Sequence, residues 1–179
     1  YPHVRIRLLN YSAPQAVKAL ENNIIDFAIV STPVLVHKHM HQEKLVSYDE
    51  ILLGGTKYKQ FAQQVHYLED ISEMPLIGLC EGSSTHTHYS RFFMEHDLPF
   101  EPDMEAAMTD QVLPMITHNL GIGFYPKSLA LEAIEKELVF PIELTEPLPN
   151  RDVVVITNNH TPINSAARRF LEFLLENRK

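Results

Sequence analysis

The sequence predicts an α/β protein built from parallel β/α units, and two features of its apolar pattern support this. Strand-like apolar runs alternate along the 179-residue chain with segments that carry helix-capping signals. The alternation falters within residues 45–68, where Gly54 and Gly55 interrupt it, and again within residues 146–151, which contain two prolines. A chain that crosses twice forms two lobes, and we expect Gly54 and Gly55 to act as a hinge at the first crossing.

Alternation and capping signals predict the first elements. Val4, Ile6 and Leu8 alternate with polar residues, which is typical of a strand with one covered face. The segment Ser12–Gln15 then reads as a capping box with a proline in its first turn. A helix should therefore begin there and end at two asparagines before a strand over residues 24–30.

The later elements follow the same logic. A buried strand at Leu76–Leu79 leads through a polar loop to a helix that ends near residue 96, and helix 128–137 precedes a strand at 153–156. Thr161 and the proline after it predict the start of the last helix. We expect the apolar stripe of that helix to lie in the core; it comprises Ile163, Ala167, Phe170, Leu171 and Leu174.

Composition narrows the possible functions. Fifteen Lys and Arg against twenty-three Asp and Glu give a formal charge of −8, with no basic cluster to neutralise a row of phosphates. The apolar runs are shorter than the roughly 18 to 20 residues that cross a bilayer. We therefore expect a cytoplasmic chain that contacts neither DNA nor a membrane directly. The single cysteine, Cys80, excludes an internal disulfide, and its apolar flanks favour a buried thiol.

Several motifs, taken in order, resemble the effector-binding domain of LysR-type bacterial transcriptional regulators. The resemblance covers nearly the whole chain, and no single motif is specific. It rests on the segments Val4–Val30, Asp49–Leu53, Leu68–Ile77 (LEDISEMPLI), Val112–Pro126 (VLPMITHNLGIGFYP) and Ser165–Leu175.

The resemblance implies a periplasmic-binding-protein type 2 fold with two Rossmann-like lobes joined by two crossover segments. We assign residues 1–53 and 154–179 to lobe I and residues 54–153 to lobe II. The first β/α unit of the family domain, a linker helix and a winged helix-turn-helix would precede residue 1. The implied function is to sense a small anionic metabolite between the lobes and to relay it to that DNA-binding domain. Members of the family form homodimers or homotetramers, and we expect the helix after Ser12 to pair through Ala16 and Ala19.

Hydroxyl residues at predicted helix N-termini are the candidate effector contacts, because free amides and the helix dipole favour an anion there. Family members often line their ligand cleft with hydroxyl residues at the positions that match Ser83, Ser84 and Thr109. Thr85 directly follows Ser84 and is a further candidate. Ser12 is a further candidate, although capping alone accounts for its position. Phe124, Tyr125 and Pro126 are expected to form an apolar wall, although packing in the core explains Phe124 equally well.

Two other classes of function, metal binding and catalysis, have weaker support in the sequence. The residues His37, His39 and His41 alternate, as in an extended metal-binding segment, but a solvated loop is the better explanation, and we assign neither metal nor cofactor. No nucleophile elbow, phosphate-binding loop or metalloprotease motif is present, so we expect no enzymatic activity. A solute-binding protein or an enzyme of the same two-lobed fold is the alternative to a regulator.

Overall fold

The computed structural model describes residues 1–178 and forms two compact units. Unit 1 contains Tyr1–Ser47 and the chain from Asp152 onward, and unit 2 contains Tyr48–Arg151. The chain thus crosses between units twice, as the resemblance implies. The crossings lie at 47/48 and 151/152, whereas the sequence pattern put the lobe boundaries at 53/54 and 153/154.

Unit 1 is built on a small sheet with strand order β1-β9-β2. Its strands are β1 (Ala28–Ser31), β2 (Met40–Tyr48) and β9 (Arg151–Asn158), and its helices are α1 (Ala13–Glu21) and α6 (Ser165–Glu176). Strand β1 runs antiparallel to β9. The core of the unit lies between α1 and the sheet; its buried side chains include Val17, Leu20, Val30, Met40, Val154 and Ile156.

Helix α1 begins and ends as its sequence predicts. The backbone N–H of Ser12 donates to Oε1 of Gln15 at 3.0 Å, which is one half of the expected capping box. At the other end Asn23 has φ 57°, the left-handed conformation that asparagine tolerates best after glycine.

The predicted first strand is wrong. Residues 1–12 contain no strand, and the side chains of Ile6 and Leu8 are 71% and 92% exposed. Alternation of apolar residues creates a strand only where a neighbouring strand accepts its backbone hydrogen bonds. None of the described strands pairs with this segment.

Helix α6 also differs from its prediction. Its N-cap is Asn164, whose Oδ1 accepts from the backbone N–H of Ala167 at 2.9 Å, and not Thr161. None of its residues is fully buried, and Phe170 remains 40% exposed. The apolar stripe is therefore only half covered, and its assignment to the core was wrong.

The pairing surface expected on α1 is not available. Ala16 and Ala19 are each only 5% exposed within the single chain. A small residue buried in this way packs inside unit 1, so a charged residue in its place would disrupt the unit itself. The prediction that these alanines face a partner is wrong.

Unit 2 contains a six-stranded sheet with order β4-β8-β3-β7-β5-β6. Strands β5, β6 and β7 are parallel to one another, and β3 runs antiparallel to both β7 and β8. The strands are β3 (Glu50–Gly55), β4 (Val65–His66), β5 (Leu76–Leu79), β6 (Met104–Ala106), β7 (Ile122–Pro126) and β8 (Val139–Leu144). The helices are α2 (Leu68–Ile71), α3 (Ser84–Met94), α4 (Thr109–Thr117) and α5 (Lys127–Glu135).

The two faces of this sheet carry separate apolar clusters. One contains Leu52, Phe93 and Phe124, and the other contains Leu53, Ile116 and Tyr125. Neighbouring residues of a strand point to opposite faces, so Phe124 and Tyr125 cannot form one wall. That part of the predicted site is wrong for Tyr125.

The predicted hinge at Gly54 and Gly55 does not agree with their surroundings. Both glycines lie inside β3, which is hydrogen-bonded to β7 on one side and β8 on the other. A Cβ on Gly55 would lie 2.3 Å from the carbonyl oxygen of Ile116. Gly55 allows α4 to approach the sheet, and Gly54 leaves room for the side chain of Tyr58. A strand paired on both sides cannot rotate freely about the backbone of these glycines.

This packing predicts that Gly55→Ala destabilises the protein by about 3 kcal/mol, at the upper end of overpacking effects. Gly82→Ala is the comparison, because Gly82 has φ 81° and a Cβ added there would have no atom within 4 Å. Its cost should be only the roughly 1–2 kcal/mol of left-handed backbone strain. Urea unfolding of both variants measures the difference, and a smaller loss for Gly55→Ala than for Gly82→Ala would contradict the close approach.

Candidate functional site

The candidate site lies at one edge of the unit 2 sheet. Because β5, β6 and β7 are parallel, their carboxyl ends meet at this edge, where α3 follows β5 and α4 follows β6. Strand β3 is antiparallel and pairs Glu50 with Pro126, so its first residue lies at the same edge. Two helix N-termini and one acidic side chain are thus brought together.

A small depression, part of which is open to solvent, occupies this edge. Polar groups enter it from the first turns of α3 and α4 and from the start of β3. Aromatic and aliphatic side chains form the remaining surface. The lining residues are Glu50, Ile77, Gly78, Leu79, Thr85, Tyr89, Phe100, Thr109, Val112 and Phe124.

A buried ion pair supports one wall of the depression. NH1 of Arg151 donates to Oε1 of Glu50 at 3.1 Å, and both side chains are only 3% exposed. The hydroxyl of Tyr89 donates to the second carboxylate oxygen. The guanidinium of Arg151 also lies 5.8 Å from the centre of the Tyr48 ring. Burial and the neighbouring Glu50 carboxylate raise the pKa of Tyr89 well above its usual value, which keeps its hydroxyl a donor.

Aromatic stacking fixes the orientation of Tyr89. Its ring is stacked on that of Phe124, with the centroids 4.2 Å apart and an angle of 16° between the planes. The ring of Phe100 is tilted against that of Tyr89, with the centroids 5.9 Å apart. Since the ring and the hydroxyl of Tyr89 are both held, its position on α3 is well determined.

The N-terminus of α3 is capped by Ser83, whose Oγ accepts from the backbone N–H of His86 at 3.1 Å. The amides of the first helical residues, Ser84 and Thr85, have no acceptor within a helix. The same holds for the first residues of α4, which begins at Thr109. Both helix N-termini therefore offer partial positive charge at the depression.

The structure brings together three of the predicted residues: Thr85, Thr109 and Phe124 line the depression. Ser83 and Ser84 lie directly before Thr85 but are not part of its lining, and the oxygen of Ser83 serves as a cap. Ser12 lies in unit 1 at the start of α1.

Sequence reasoning did not identify Glu50, Tyr89 or Arg151. The local sequence gives an indication only for Glu50, which is the one charged residue of an otherwise apolar strand. Arg151 lies 101 residues away, so nothing in either neighbourhood pairs the two.

His88 lies on α3 between the lining residues Thr85 and Tyr89 and is held neutral. Burial and the nearby charge of Arg151 lower its pKa to about 4, although a hydrogen bond with the backbone of Pro149 opposes this shift. Its Nε2 atom is buried and has no hydrogen-bond partner among residues 1–178.

The histidines of unit 1 stack instead of converging. The rings of His37 and His39 have centroids 5.7 Å apart, those of His39 and His160 are 4.7 Å apart, and His41 lies near Glu43. In the part of the chain that the structure describes, no group of three potential ligands is arranged to hold a metal ion. Cys80 lies just past β5 and is half-buried, whereas a fully buried strand thiol was expected.

A family model for the LysR substrate binding domain matches residues 1–179. The chain therefore belongs to the LysR substrate-binding domain family, the effector-binding module of LysR-type regulators. This confirms the resemblance drawn from the sequence motifs and the periplasmic-binding-protein type 2 fold that it implied.

Solved structures with this fold include domains with bound ligands. The regulatory domain of CcmR from Synechocystis PCC6803, in complex with 2-PG, matches with a TM-score of 0.86 and 16% identity, over 100% of this chain and 86% of that one. The effector-binding domain of QuiR, in complex with shikimate, matches with a TM-score of 0.80 and 15% identity, over 94% and 78%. The bromide-bound regulatory domain of HypT from Salmonella typhimurium matches with a TM-score of 0.75 and 16% identity, over 94% and 79%. No curated protein matches the chain significantly in sequence.

Across the described residues, no helix combines the length and apolar character needed to cross a membrane.

The buried ion pair predicts that Glu50→Gln lowers the free energy of unfolding by about 3–5 kcal/mol, because the charge of Arg151 would remain buried without its counterion. The matched control is Glu137→Gln, which removes the exposed ion pair with Lys59 at 3.2 Å and should cost less than about 1 kcal/mol. Urea unfolding measures both variants, and equal losses would show that the Glu50 pair is not isolated from solvent.

The lowered pKa of His88 predicts a stability change in acid. The unfolded chain takes up a proton on this residue below about pH 6.5, whereas the folded protein resists it until about pH 4. The contribution of His88 is therefore present above pH 6.5 and is lost as the pH falls toward 4. In His88→Gln the urea midpoint should fall less over this range than in the wild type, and the exposed His3→Gln should keep the wild-type slope. A His88→Gln profile that parallels the wild type would refute this assignment.

Proposed function

We propose that the depression of unit 2 binds a small anionic effector, with Thr85 and Thr109 as hydroxyl contacts and the amides at the starts of α3 and α4 as anion donors. The convergence of these two helix N-termini on one depression carries the proposal. Anions are stabilised at helix N-termini because free N–H groups and the helix dipole both face them.

The remaining predicted contacts keep lesser roles. Ser83 fixes the first turn of α3 by capping it, and Ser84 supplies an amide at the same end. Phe124 provides an apolar surface for the carbon skeleton of the ligand, whereas Tyr125 packs in the opposite cluster. Ser12 remains a predicted contact in unit 1.

Family membership favours a sensor in a transcriptional regulator over a solute-binding protein or an enzyme of the same fold. The complexes of CcmR with 2-PG and of QuiR with shikimate support ligand binding by this fold. We propose that binding is relayed to DNA through a separate DNA-binding domain of the complete protein, which acts in the cytoplasm and not as an enzyme. Exposed apolar side chains on α6, such as Phe173 at 57% exposure, support assembly into a homodimer or homotetramer.

The test replaces both hydroxyls without changing side-chain shape. The melting temperature of the wild-type protein should rise with sulfate, phosphate or small carboxylates, and the double variant Thr85→Val/Thr109→Val should lose that rise. The control is Thr87→Val, which lies on α3 outside the depression and whose hydroxyl donates to the carbonyl of Ser83. Its response should equal the wild type. A normal anion response in the double variant, with an unchanged melting temperature in buffer, would place the site elsewhere.

A further inference from the structure

Unit 1 contains a cavity of its own, which shares no lining residue with the depression of unit 2. Its volume is about 100 Å³, which is room for several water molecules or for a compound of a few heavy atoms. The walls come from the end of α1, from the chain before β1 and from the segment between β9 and α6. The polar residues of the lining are Asn23, Asp26, Asn158 and Thr161.

Two hydrogen bonds hold the walls of this cavity together. The hydroxyl of Thr161 donates to Oδ1 of Asn23 at 2.6 Å. Nδ2 of Asn164 donates to Oδ1 of Asp26 at 2.7 Å, and Asn164 is itself fixed as the N-cap of α6. Each bond joins residues that are 138 positions apart in the sequence. The two sides of the cavity are thus linked at two points, and its shape is part of the fold.

A buried donor faces the cavity without an acceptor. Asn158, the last residue of β9, is only 7% exposed and lines the cavity. Its Oδ1 accepts from the backbone N–H of His160 at 3.0 Å, and this contact fixes the orientation of the carboxamide because an N–H can only donate. Within residues 1–178 its Nδ2 donates to no acceptor, yet this atom is not sealed from solvent. The small exposed surface of Asn158 therefore opens onto the cavity, where its amide requires an oxygen acceptor.

The charges around the cavity favour a cation. Asp26 is exposed and forms no ion pair with any of residues 1–178, and Asn164 occupies only one of its two oxygens. The C-terminal end of α1, beside Leu20 and Asn23, adds partial negative charge. No lysine, arginine or histidine belongs to the lining. An anion would therefore meet no counter-charge here, whereas an ammonium group would meet a free carboxylate oxygen.

We propose that this cavity binds a small primary amine that also carries a neutral oxygen, as in an amino alcohol. The ammonium group binds Asp26 at the end of α1, and the oxygen accepts from Nδ2 of Asn158. The short carbon chain between them contacts Leu20 and Ile163, which belong to the apolar part of the lining. This site lies in unit 1 and is independent of the anion site proposed for unit 2.

Other small compounds lack one of these two matches. An alkylamine of the same size would displace water from Nδ2 of Asn158 without supplying an acceptor, which leaves a buried donor unsatisfied. A diol supplies the oxygen but no charge for Asp26. A phosphate ester of the amino alcohol, which is the chemistry of a lipid headgroup, would bring negative charge to a lining without a basic residue. The free amino alcohol is the form that satisfies both groups.

The experiment titrates the wild-type chain with four related compounds. Ethanolamine, propylamine and ethylene glycol have the same number of non-hydrogen atoms, and phosphoethanolamine is the phosphate ester. Amide NMR spectra report binding through the backbone and side-chain resonances of Asn158. We expect ethanolamine to shift these resonances and to bind at least about fivefold tighter than each of the other three, the lower end of the cost of an unpaired buried polar group.

A charge-neutralising variant tests the role of Asp26. Asp26→Asn keeps an oxygen that accepts from Asn164 but removes the charge, so ethanolamine should bind it at least about fivefold more weakly. Asp97→Asn is the matched control, because it makes the same change in net charge at an exposed carboxylate of unit 2 outside the cavity. Its affinity for ethanolamine should equal that of the wild type.

Each contrary result overturns a defined part of the proposal. Propylamine binding as tightly as ethanolamine would overturn the role of Asn158, and tight binding of phosphoethanolamine would overturn the selection for a free amine. Unchanged affinity in a folded Asp26→Asn variant would overturn the cation site. Absence of ethanolamine binding to the wild-type chain would show that the cavity holds only water. Because the four ligands are compared on wild-type protein, this test stands even where a variant fails to fold.

Discussion

The ion pair between Glu50 and Arg151 is the interaction on which the rest of unit 2 depends. Glu50 follows the first chain crossing by three residues, and Arg151 immediately precedes the second. The pair therefore joins the two ends of the segment that forms unit 2. Because both side chains are buried, neither charge can move to solvent without breaking the pair. The two residues are far apart in the sequence, so the pair is a long-range constraint on the fold.

The constraint extends from the crossings to the candidate site through α3. Tyr89 binds Glu50 and is stacked on Phe124, while the adjacent His88 is hydrogen-bonded to the backbone of Pro149. Two consecutive residues of one helix are thus tied to opposite ends of the unit 2 segment. The N-terminus of that helix carries Thr85, so the position of a proposed ligand contact depends on contacts made near the crossings. A side chain that binds a ligand is most precise when the element beneath it is held in this way.

The local features of the sequence determined how much of this arrangement could be predicted. Strand β5, the cap of α1 and the left-handed Asn23 each depend on a few neighbouring residues, and their prediction succeeded. The segment Val4–Leu8 has a strand pattern but no partner strand among the described residues, so its pattern alone could not form one. Gly54 and Gly55 interrupt an apolar pattern as hinge glycines do, whereas here Gly54 is required by the close packing of Tyr58 and Gly55 by the approach of α4. Thr85 and Thr109 could be proposed as candidates because they lie at helix N-termini that the sequence predicts. The Glu50–Arg151 pair depends on tertiary contacts that the apolar periodicity does not encode.

Stability alone does not explain why a buried ion pair stands beside the depression. Replacing such a pair by apolar residues of similar size is often neutral or stabilising, because two desolvated charges recover little more than they lose. What an apolar pair could not supply is the second carboxylate oxygen, which accepts from the hydroxyl of Tyr89 and so holds α3 in place. The polarity of Glu50 is therefore explained by the two donors that it joins, and the charge of Arg151 is what allows that polarity to be buried.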